Sequence, residues 1–343
     1  MQRGFSGGIM TKTILVAYSF GKNAKFGYSG IDRYSQELDE GLTSIGYEHD
    51  RYAYEINNPF KRLFSSPKAV KGYDVIHLTQ PHGYEAFTGS KAKKILTWHD
   101  NMIFTRKSKV HFYNIYRGLM AYNLADIITF NSKQSYTELQ DYLLKHNSMY
   151  NTFCDITPLP LEDIWIKEKI NKKQKRKHFI YIGAINYPHK NFGGLINTYY
   201  KMFENIEDVQ KPPLHIFTSS PNADEMEDIY SVYPYPIFFH SRASDEEIKG
   251  YLKEAIALLH LSQYEGYGLP LLESIAVGTP VITLKEAKIP EETAKWTIRT
   301  DNPVEEALKL YNKPRSASQE AISYAKSLTK ENYAKKMVKL YGR

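Results

Sequence analysis

Short runs of consecutive apolar residues recur along the chain, and between them lie stretches in which apolar residues return every three or four positions. Such runs are typical of strands buried on both faces of a parallel sheet, whereas the second pattern is typical of amphipathic helices. The alternation continues through both halves of the 343-residue chain. It therefore predicts an α/β protein with two full-sized domains, each built on a parallel sheet.

The predicted elements follow directly from this pattern. In the first half, strands are predicted at 12–18, 47–54, 74–78, 94–98, 125–132 and 156–161. In the second half, they are predicted at 178–183, 213–218, 236–240, 255–261 and 281–283. Helices are predicted at 31–42, 192–203, 244–255, 290–294, 304–310, 317–328 and 331–341. Ser132 or Ser135 is a candidate helix cap, and Ser244 begins a capping box.

The most informative stretch is 255–283, where a buried strand, a turn, a short helix and another strand follow one another. Pro270 suits the first turn of the helix, where a missing N–H costs nothing, and Gly278 suits the left-handed residue beyond its end. Gly266 and Gly268 lie just before the helix, where they allow a ligand to approach the backbone. The free N–H groups and the positive end of the helix dipole favour an anion there.

Two carboxylates flank this turn, Glu265 within it and Glu273 early in the helix. A carboxylate repels a phosphate, so these side chains need another role, and accepting hydrogen bonds from sugar hydroxyls is the obvious one. A ligand with an anionic centre and a hydroxyl-rich group at each end is a nucleotide sugar. Two glutamates on a solvated helix face are the alternative reading of this spacing.

The stretch EGYGLPLLESIAVGTPVIT, which begins at Glu265, resembles the signature of the retaining glycosyltransferases of family four, the glycosyl transferases group 1. The resemblance implies the GT-B fold, in which two Rossmann-like parallel-sheet domains face each other across a cleft. It also implies that Glu265 lies at the donor sugar and Glu273 at the ribose. The implied donor-binding residues of the turn are Gly266, Tyr267, Gly268 and Leu269.

The same resemblance extends to the start of the second domain. A strand, Gly183, a short loop, Lys190 and a helix follow one another as in the donor-diphosphate clamp of that family, with Lys190 as its lysine. A lysine near a helix start is unfavourable to the dipole unless an anion lies between them, which supports the assignment. Many members carry an arginine directly after the glycine, where this chain has Ala184. His189 and Arg242 are candidates for the missing cation.

Two loops of the first domain also carry candidate residues. The sequence GYSG at 27–30 follows the first predicted strand, at the end where open α/β sheets bind ligands. The resemblance implies that this loop closes over the donor, with Gly30 on the donor side and Ser29 on the acceptor side. It further implies that His99 and Asp100, after strand 94–98, line the sugar and acceptor pocket. A hydrogen-bonded structural histidine is the alternative for His99.

The predicted reaction moves a hexose from a nucleotide diphosphate sugar, UDP-glucose-like or GDP-mannose-like, to an acceptor hydroxyl on a glycan, lipid or small molecule. The resemblance implies retention at the anomeric carbon, with Glu265, Lys190 and His99 as catalytic residues. Family enzymes are thought to let the leaving phosphate accept the acceptor's proton. We expect no metal and no other cofactor, because the chain has no D-x-D pair and Lys190 with the helix dipole would replace the ion.

The basic composition of one segment and the resemblance together predict the domain organisation. Residues 1–165 form the acceptor-side domain, 166–178 a basic linker, and 179–315 the donor domain. Residues 316–343 are helices that cross back to brace the first domain, as in GT-B enzymes. The linker is expected to be solvated because 170–178 reads INKKQKRKH.

The amino-acid composition excludes few classes of binding partner. The balance of 45 Lys+Arg over 38 Asp+Glu gives a net charge of +7, which favours nucleotides, lipid headgroups or nucleic acid without choosing among them. No apolar run approaches the roughly 18 residues that span a membrane, and Cys154, the only cysteine, cannot form an internal disulfide. We expect a cytoplasmic protein. The stretches 60–64 and 107–117 are rich in basic and aromatic residues. They could bind the anionic inner face of a membrane peripherally, or they could be ordinary solvated surface.

Two other classes of protein remain as alternatives. A Rossmann-type epimerase or oxidoreductase would carry G-x-G-x-x-G after the first strand, and GYSG at 27–30 does not supply that sequence. A non-catalytic nucleic-acid-binding protein would fit the basic charge, but the positive residues are scattered or lie in the linker. Nucleic acid is therefore an unexpected partner.

Overall fold

A computed structural model of the chain describes residues 11–17, 30–54, 59–101, 104, 111–146, 152–171, 174–204, 211–220, 223–231 and 235–343. The chain divides into two compact units. The first comprises Met1–Pro160 and Lys330–Arg343, and the second comprises Leu161–Thr329. None of the described helices is long and apolar enough to cross a membrane.

The strands and helices alternate along the chain, as the sequence pattern predicts. The strands are β1 (Thr13–Ala17), β2 (His49–Ala53), β3 (Val75–Leu78), β4 (Lys93–Trp98), β5 (Ile127–Phe130), β6 (Phe153–Ile156), β7 (His178–Ile182), β8 (Leu214–Thr218), β9 (Ile237–Ser241), β10 (Ala255–His260), β11 (Val281–Leu284) and β12 (Ile298–Thr300). The helices are α1 (Gly30–Ser44), α2 (Pro59–Ala69), α3 (His111–Leu124), α4 (Lys133–Lys145), α5 (Asp163–Ile166), α6 (Phe192–Phe203), α7 (Ala223–Ser231), α8 (Asp245–Glu254), α9 (Leu269–Ala276), α10 (Glu291–Ala294), α11 (Pro303–Asn312), α12 (Gln319–Ser327) and α13 (Lys330–Tyr341).

The first unit is built on a parallel sheet with the strand order β2-β1-β3-β4-β5-β6. Its strands β1, β3 and β5 are mostly apolar and fully buried, as expected for strands covered on both faces. The order reverses between β1 and β3, so the loops after these two strands leave the sheet in opposite directions. Such a reversal creates a crevice at the carboxyl edge of an open sheet, where ligands bind.

The second unit has the strand order β12-β11-β10-β7-β8-β9, again fully parallel. This is the doubly wound order of a Rossmann sheet, with its reversal between β7 and β10. The predicted α/β class, with two Rossmann-like parallel sheets, is therefore confirmed. Both strands that border the reversal are followed by loops that carry candidate donor-site residues.

Several local predictions are confirmed closely. The helix predicted at 192–203 is α6, and the helix predicted after the glycine turn is α9, with a proline in its first turn. Gly278, beyond the end of α9, has a φ of +91°. Ser132 accepts a hydrogen bond from the backbone N–H of Ser135, and Ser244 accepts one from Glu247, so both serines cap their helices.

One predicted strand is wrong. The segment 156–161 is mostly irregular, and the edge strand β6 lies before it. Pro158 and Pro160 have no N–H to donate, so this segment cannot continue the ladder that β6 forms with β5. The sequence analysis also missed α2, α3, α5, α7 and the short edge strand β12.

The predicted linker 166–178 lies within the second unit. It is less solvated than its lysines suggest, because Arg176 is half-buried. The guanidinium of Arg176 donates a hydrogen bond of 2.7 Å to the carbonyl oxygen of Gly278 and another to that of Ala255. Within the predicted C-terminal segment 316–343, α12 packs on α9 in the second unit, whereas α13 packs on α1 in the first.

Candidate functional site

The site forms where the strand order of the second unit reverses. Strand β7 is followed by a loop and a 3₁₀ turn at Pro188–Lys190, and its neighbour β10 is followed by the glycine turn before α9. Because parallel strands place their carboxyl ends at the same edge of the sheet, Lys190 and Glu265 lie on the same side. The sequence predicted a role for each residue but did not predict a direct contact.

Lys190 and Glu265 form an ion pair. The Nζ of Lys190 donates a hydrogen bond of 2.7 Å to Oε1 of Glu265. His260 donates a second hydrogen bond to the same oxygen, since its Nε2 lies 2.6 Å away. Glu265 and His260 are buried, whereas the Lys190 side chain keeps 18% of its surface exposed. Together the three residues form a compact polar cluster at the edge of the sheet.

The environment of Glu265 holds it ionised. Burial by itself would raise the pKa of this carboxyl, but His260 and Lys190, which both donate to it, more than offset that effect and bring the pKa to about 2. Glu265 is therefore an anion throughout the physiological range. A buried carboxylate of this kind accepts hydrogen bonds and does not donate a proton.

Hydrogen bonds to backbone carbonyl groups connect the two loops. The backbone N–H of Gln263 donates to the carbonyl oxygen of His189 at 2.8 Å, and the side-chain amide of Asn191 donates to the carbonyl oxygen of Leu261 at 3.0 Å. On the other side of the turn, the N–H of Glu265 donates to the carbonyl oxygen of Lys288 at 2.9 Å. The loops that carry Lys190 and Glu265 are thus one connected layer.

The glycine turn leads directly into the N-terminus of α9. Gly268 has a φ of +86°, a left-handed conformation that favours glycine, and an added Cβ would lie 3.3 Å from Thr293 Cγ2. Thr293 also fixes the turn, because its hydroxyl donates a hydrogen bond of 2.9 Å to the carbonyl oxygen of Tyr267. Gly266 and Leu269 are partly exposed on either side of this bend. The turn that carries Glu265 therefore leads directly into the first amides of α9.

Glu273 lies one turn into α9, and its side chain is buried. All residues from Leu271 to Ala276 are buried, so Glu273 is a carboxylate on a helix that is enclosed on most sides and is mostly apolar. Its predicted role at the ribose stays a prediction.

The first-domain candidates form a second polar group at the carboxyl edge of their own sheet. His99 follows β4 and is buried, with its Nε2 2.8 Å from the carbonyl oxygen of Thr79 after β3. Burial lowers the pKa of His99, and the hydrogen bond to Thr79 and the charge of Asp100 only partly counter this. Nε2 therefore donates to Thr79, and Nδ1 is left as the acceptor nitrogen. Asp100 is partly exposed beside it.

The predicted glycine loop of the first domain falls largely outside the described residues. Ser29 is outside them, and Gly30 is the first residue of α1. Of the two candidates for a second cation, His189 adjoins Lys190 in the 3₁₀ turn. Arg242 follows β9 at the same edge of the sheet, is exposed and has a φ of +59°, which is unusual for a residue other than glycine. Both assignments stay predictions.

His260 is the member of the cluster that the sequence reading missed. It ends an apolar strand, AIALLH, and was counted only as part of that strand. A signal was nevertheless present, because a histidine in a fully buried strand needs a polar partner, and Glu265 is the next acidic residue along the chain.

Metal-ligating side chains do not gather at this site. Across the described residues, no group of three or more His, Cys, Asp and Glu side chains is arranged to hold a metal ion.

The doubly wound sheets define an α/β protein with a candidate ligand site at a strand-order reversal, and comparison with known families makes this class more specific. Residues 163–301 match the family model of the glycosyl transferases group 1. This segment contains the signature on which the stated resemblance rests, so that resemblance is confirmed. No curated protein matches the chain by sequence.

Solved structures extend the likeness to nearly the whole chain. A sucrose-phosphate synthase from Thermosynechococcus elongatus superposes with a TM-score of 0.67 at 15% identity, covering 96% of this chain and 98% of its own. AviGT4, a glycosyltransferase involved in avilamycin A biosynthesis, has a TM-score of 0.63 at 16% identity and 97% coverage of both chains. A UDP-forming α,α-trehalose-phosphate synthase from Burkholderia vietnamiensis has a TM-score of 0.67 at 10% identity, covering 97% and 99%. These likenesses establish the GT-B fold.

Proposed function

We propose that this protein is a retaining glycosyltransferase that moves a hexose from a nucleotide diphosphate sugar to an acceptor hydroxyl. One observation carries the proposal. The Lys190–Glu265 ion pair, 2.7 Å long, joins the loops after β7 and β10, and Glu265 lies in the turn that leads into α9, within the segment that matches the family. A cation, helix amides and a buried carboxylate are the groups that a diphosphate bonded to a sugar requires.

Each group has a distinct chemical task in this proposal. Lys190 and the first amides of α9, with Gly266 and Gly268, stabilise the negative charge that develops on the departing diphosphate. Glu265 accepts hydrogen bonds from hydroxyls of the donor sugar. Glu273 does the same for the ribose. Because Glu265 is fixed as an anion before the ligand arrives, it needs no reorganisation during the reaction.

In the first unit, we assign His99 and Asp100 to the acceptor side. The Nδ1 of His99 is the acceptor nitrogen when Nε2 donates to Thr79, so it suits a sugar hydroxyl. Ser29 and Gly30 belong to the same proposal through the family resemblance. The leaving phosphate, rather than a protein carboxylate, takes the proton of the acceptor hydroxyl.

We rank a uridine diphosphate donor first and a guanosine diphosphate donor second. The UDP-forming trehalose-phosphate synthase with the same fold supports this order. The acceptor is a hydroxyl on a glycan, lipid or small molecule. Metal independence is part of the proposal, because Lys190 and the α9 dipole supply the positive charge that a divalent ion supplies elsewhere.

A peripheral contact with an anionic membrane is a second, separate candidate property. Phe64 on α2 is 70% exposed and Phe112 on α3 is 81% exposed, and the segments that contain them hold no acidic residue between 59 and 71 or between 105 and 124. Sedimentation with phosphatidylglycerol vesicles tests it. Binding that is equal with neutral phosphatidylcholine vesicles, or absent from both, would rule it out.

A ligand-dependent stability panel tests the donor site. We would heat the full chain with UDP, GDP, ADP or dTDP, each with and without EDTA, and then with UDP-glucose and GDP-mannose. A nucleotide at 1,000 times its dissociation constant adds about 4 kcal/mol of stability to the folded state. One nucleotide that raises the melting temperature regardless of EDTA is the expected result. No rise with any of them would remove the proposed donor site.

The same stability panel should be repeated with the variant Lys190→Met, and with Lys288→Met as its control. Lys288 is an exposed lysine on the adjoining loop, paired through its backbone with the Glu265 turn. Only the Lys190→Met change should reduce the rise in melting temperature that the nucleotide causes. An equal reduction in both variants would indicate a general charge effect.

A further inference from the structure

His260 occupies an unusual position beside Glu265. It is the last residue of β10, its side chain is 1% exposed, and its Nε2 lies 2.6 Å from the Glu265 carboxylate. This side-chain hydrogen bond joins the end of β10 to the turn that follows it. A polar side chain in such a strand requires a partner, and the carboxylate supplies one.

His260 and Lys190, which both donate to Glu265, differ in burial and in the element that carries them. His260 is anchored on a central strand and enclosed. Lys190 extends from a 3₁₀ turn on a flexible four-carbon stem and is 18% exposed. A ligand that enters from the edge of the sheet therefore meets Lys190 first. Only Lys190 can leave the carboxylate to bind an anion without disturbing the sheet.

The surroundings of His260 fix its direction. Its ring lies nearly parallel to that of Tyr181, with 6.4 Å between centroids and 21° between planes. The Tyr181 hydroxyl donates to the carbonyl oxygen of Ala184 at 2.8 Å, which holds that ring in turn. The Nδ1 of His260 is buried, and no described residue provides it with a hydrogen-bond partner. An ionised carboxylate can only accept hydrogen bonds, so Nε2 carries a proton and donates it to Glu265.

We propose that His260 is a positioning residue, which keeps the Glu265 carboxylate in place when Lys190 turns from it to an anionic ligand. Without His260, departure of Lys190 would leave a buried carboxylate with one fewer donor, and the side chain would move toward water or toward the ligand phosphates. With His260, the carboxylate keeps its orientation toward the sugar hydroxyls. The nature of the ligand rests on the proposed function, whereas the division of labour between the two donors does not.

The first test needs no activity. We would determine crystal structures of the full-length Lys190→Met, His260→Phe and doubly substituted proteins, and record NMR spectra of histidine-labelled samples of the wild type and of Lys190→Met. In Lys190→Met, Glu265 should keep its position, and the hydrogen-bonded Nε2 proton of His260 should persist. In the double variant, Glu265 should adopt other conformations. Movement of Glu265 in Lys190→Met alone, or an unmoved Glu265 in the double variant, would overturn the proposal.

The second test separates positioning from folding. His260→Phe keeps the ring and removes the donor, and His260→Gln restores an N–H near the Nε2 position. His178→Phe is the control, because His178 is a buried histidine of the same unit whose Nε2 bonds to the carbonyl oxygen of Tyr251. Relative to that control, His260→Phe should lower kcat about tenfold or more, as expected when a reacting group is misplaced. The dissociation constant for UDP should change less than about twofold, since the helix amides and Lys190 bind the phosphates.

Rescue and pH dependence complete the comparison. His260→Gln should recover part of the lost kcat. In His260→Phe, the acid limb of the pH profile of kcat should move to higher pH, because Glu265 loses a hydrogen bond that lowers its pKa. Equal kcat in His260→Phe and His178→Phe, or no recovery in His260→Gln, would overturn the proposal. If the wild type binds none of UDP, GDP, ADP and dTDP, the proposed function fails and the crystallographic test still decides the role of His260.

Discussion

The Nδ1 of His77, on β3, lies 2.7 Å from the hydroxyl of Tyr341 at the far end of the chain. The Nε2 of the same ring is 2.8 Å from the hydroxyl of Thr97, which is also hydrogen-bonded to Tyr34. Tyr34 in turn meets Tyr333 at 2.8 Å. Because Tyr333 and Tyr341 both belong to α13, this buried chain of hydrogen bonds begins and ends on that helix. It thereby fastens α13 to the sheet of the first unit.

Removal of the Tyr341 hydroxyl should destabilise the first unit. Tyr341→Phe leaves one nitrogen of the fully buried His77 without its partner, and such a loss costs about 1–3 kcal/mol. Chemical denaturation at neutral pH measures the change. Tyr116→Phe, which removes an exposed hydroxyl from α3, is the control and should alter stability by less than about 0.5 kcal/mol. Equal effects of the two changes would show that the hydrogen-bond chain adds nothing.

Gly41 allows the close approach of α13 to α1. A Cβ at this position would lie 2.5 Å from the backbone oxygen of Lys330 and 3.2 Å from Ala334 Cβ. Gly41→Ala should therefore push α13 away and destabilise the fold by about 1–3 kcal/mol, despite the better helix propensity of alanine. Gly250→Ala is the matched control. Gly250 is inside α8 with no atom near its missing Cβ, so alanine should stabilise by about 0.4–1 kcal/mol. A stabilising Gly41→Ala would contradict this account.

The parts of the fold that local chemistry determines were predictable. Helix α9 has a proline in its first turn and a glycine beyond its end, and α6 has a strongly apolar face, so both were found with nearly their observed bounds. Helices α2 and α3 were missed because their basic and aromatic residues were interpreted as an exposed surface segment and not as a helix. The strand at 156–161 was misplaced because its apolar residues suggested a core strand, while two prolines prevent the pairing that a strand needs.

The site was predictable only where a motif identified it. Lys190 and Glu265 were named from separate stretches of sequence, but their ion pair depends on the reversal of strand order between β7 and β10. No local pattern encodes that pairing. His260 escaped notice for a related reason. Its partner lies across a turn, so a hydrogen-bonding role was hidden by an apolar strand pattern.

Acid should destabilise the second unit partly through His215. Burial, reinforced by repulsion from His178 and His240, lowers the pKa of His215 to about 3. A histidine whose pKa is lower in the folded state than in the unfolded state contributes stability above about pH 6.5, and that contribution is lost as pH falls towards the folded pKa. Denaturation curves recorded between pH 7 and pH 4 should therefore show that the free energy of unfolding falls less in His215→Phe than in the wild type. Equal losses would contradict a role for His215.

Lys190 and Glu273 should contribute to nucleotide binding in different ways. Lys190→Ala should weaken binding of a nucleoside diphosphate by about 1.5–3 kcal/mol, as expected for a charged hydrogen bond, and should weaken pyrophosphate binding to a similar degree. Glu273→Gln should weaken the nucleotide more than pyrophosphate, because only the nucleotide contains a ribose. Isothermal titration with UDP, GDP and pyrophosphate measures these differences. Unchanged affinity in Lys190→Ala would remove Lys190 from the site, and equal losses for nucleotide and pyrophosphate in Glu273→Gln would contradict the ribose role. Neither result would alter the assignment of the fold, which rests on the two parallel sheets.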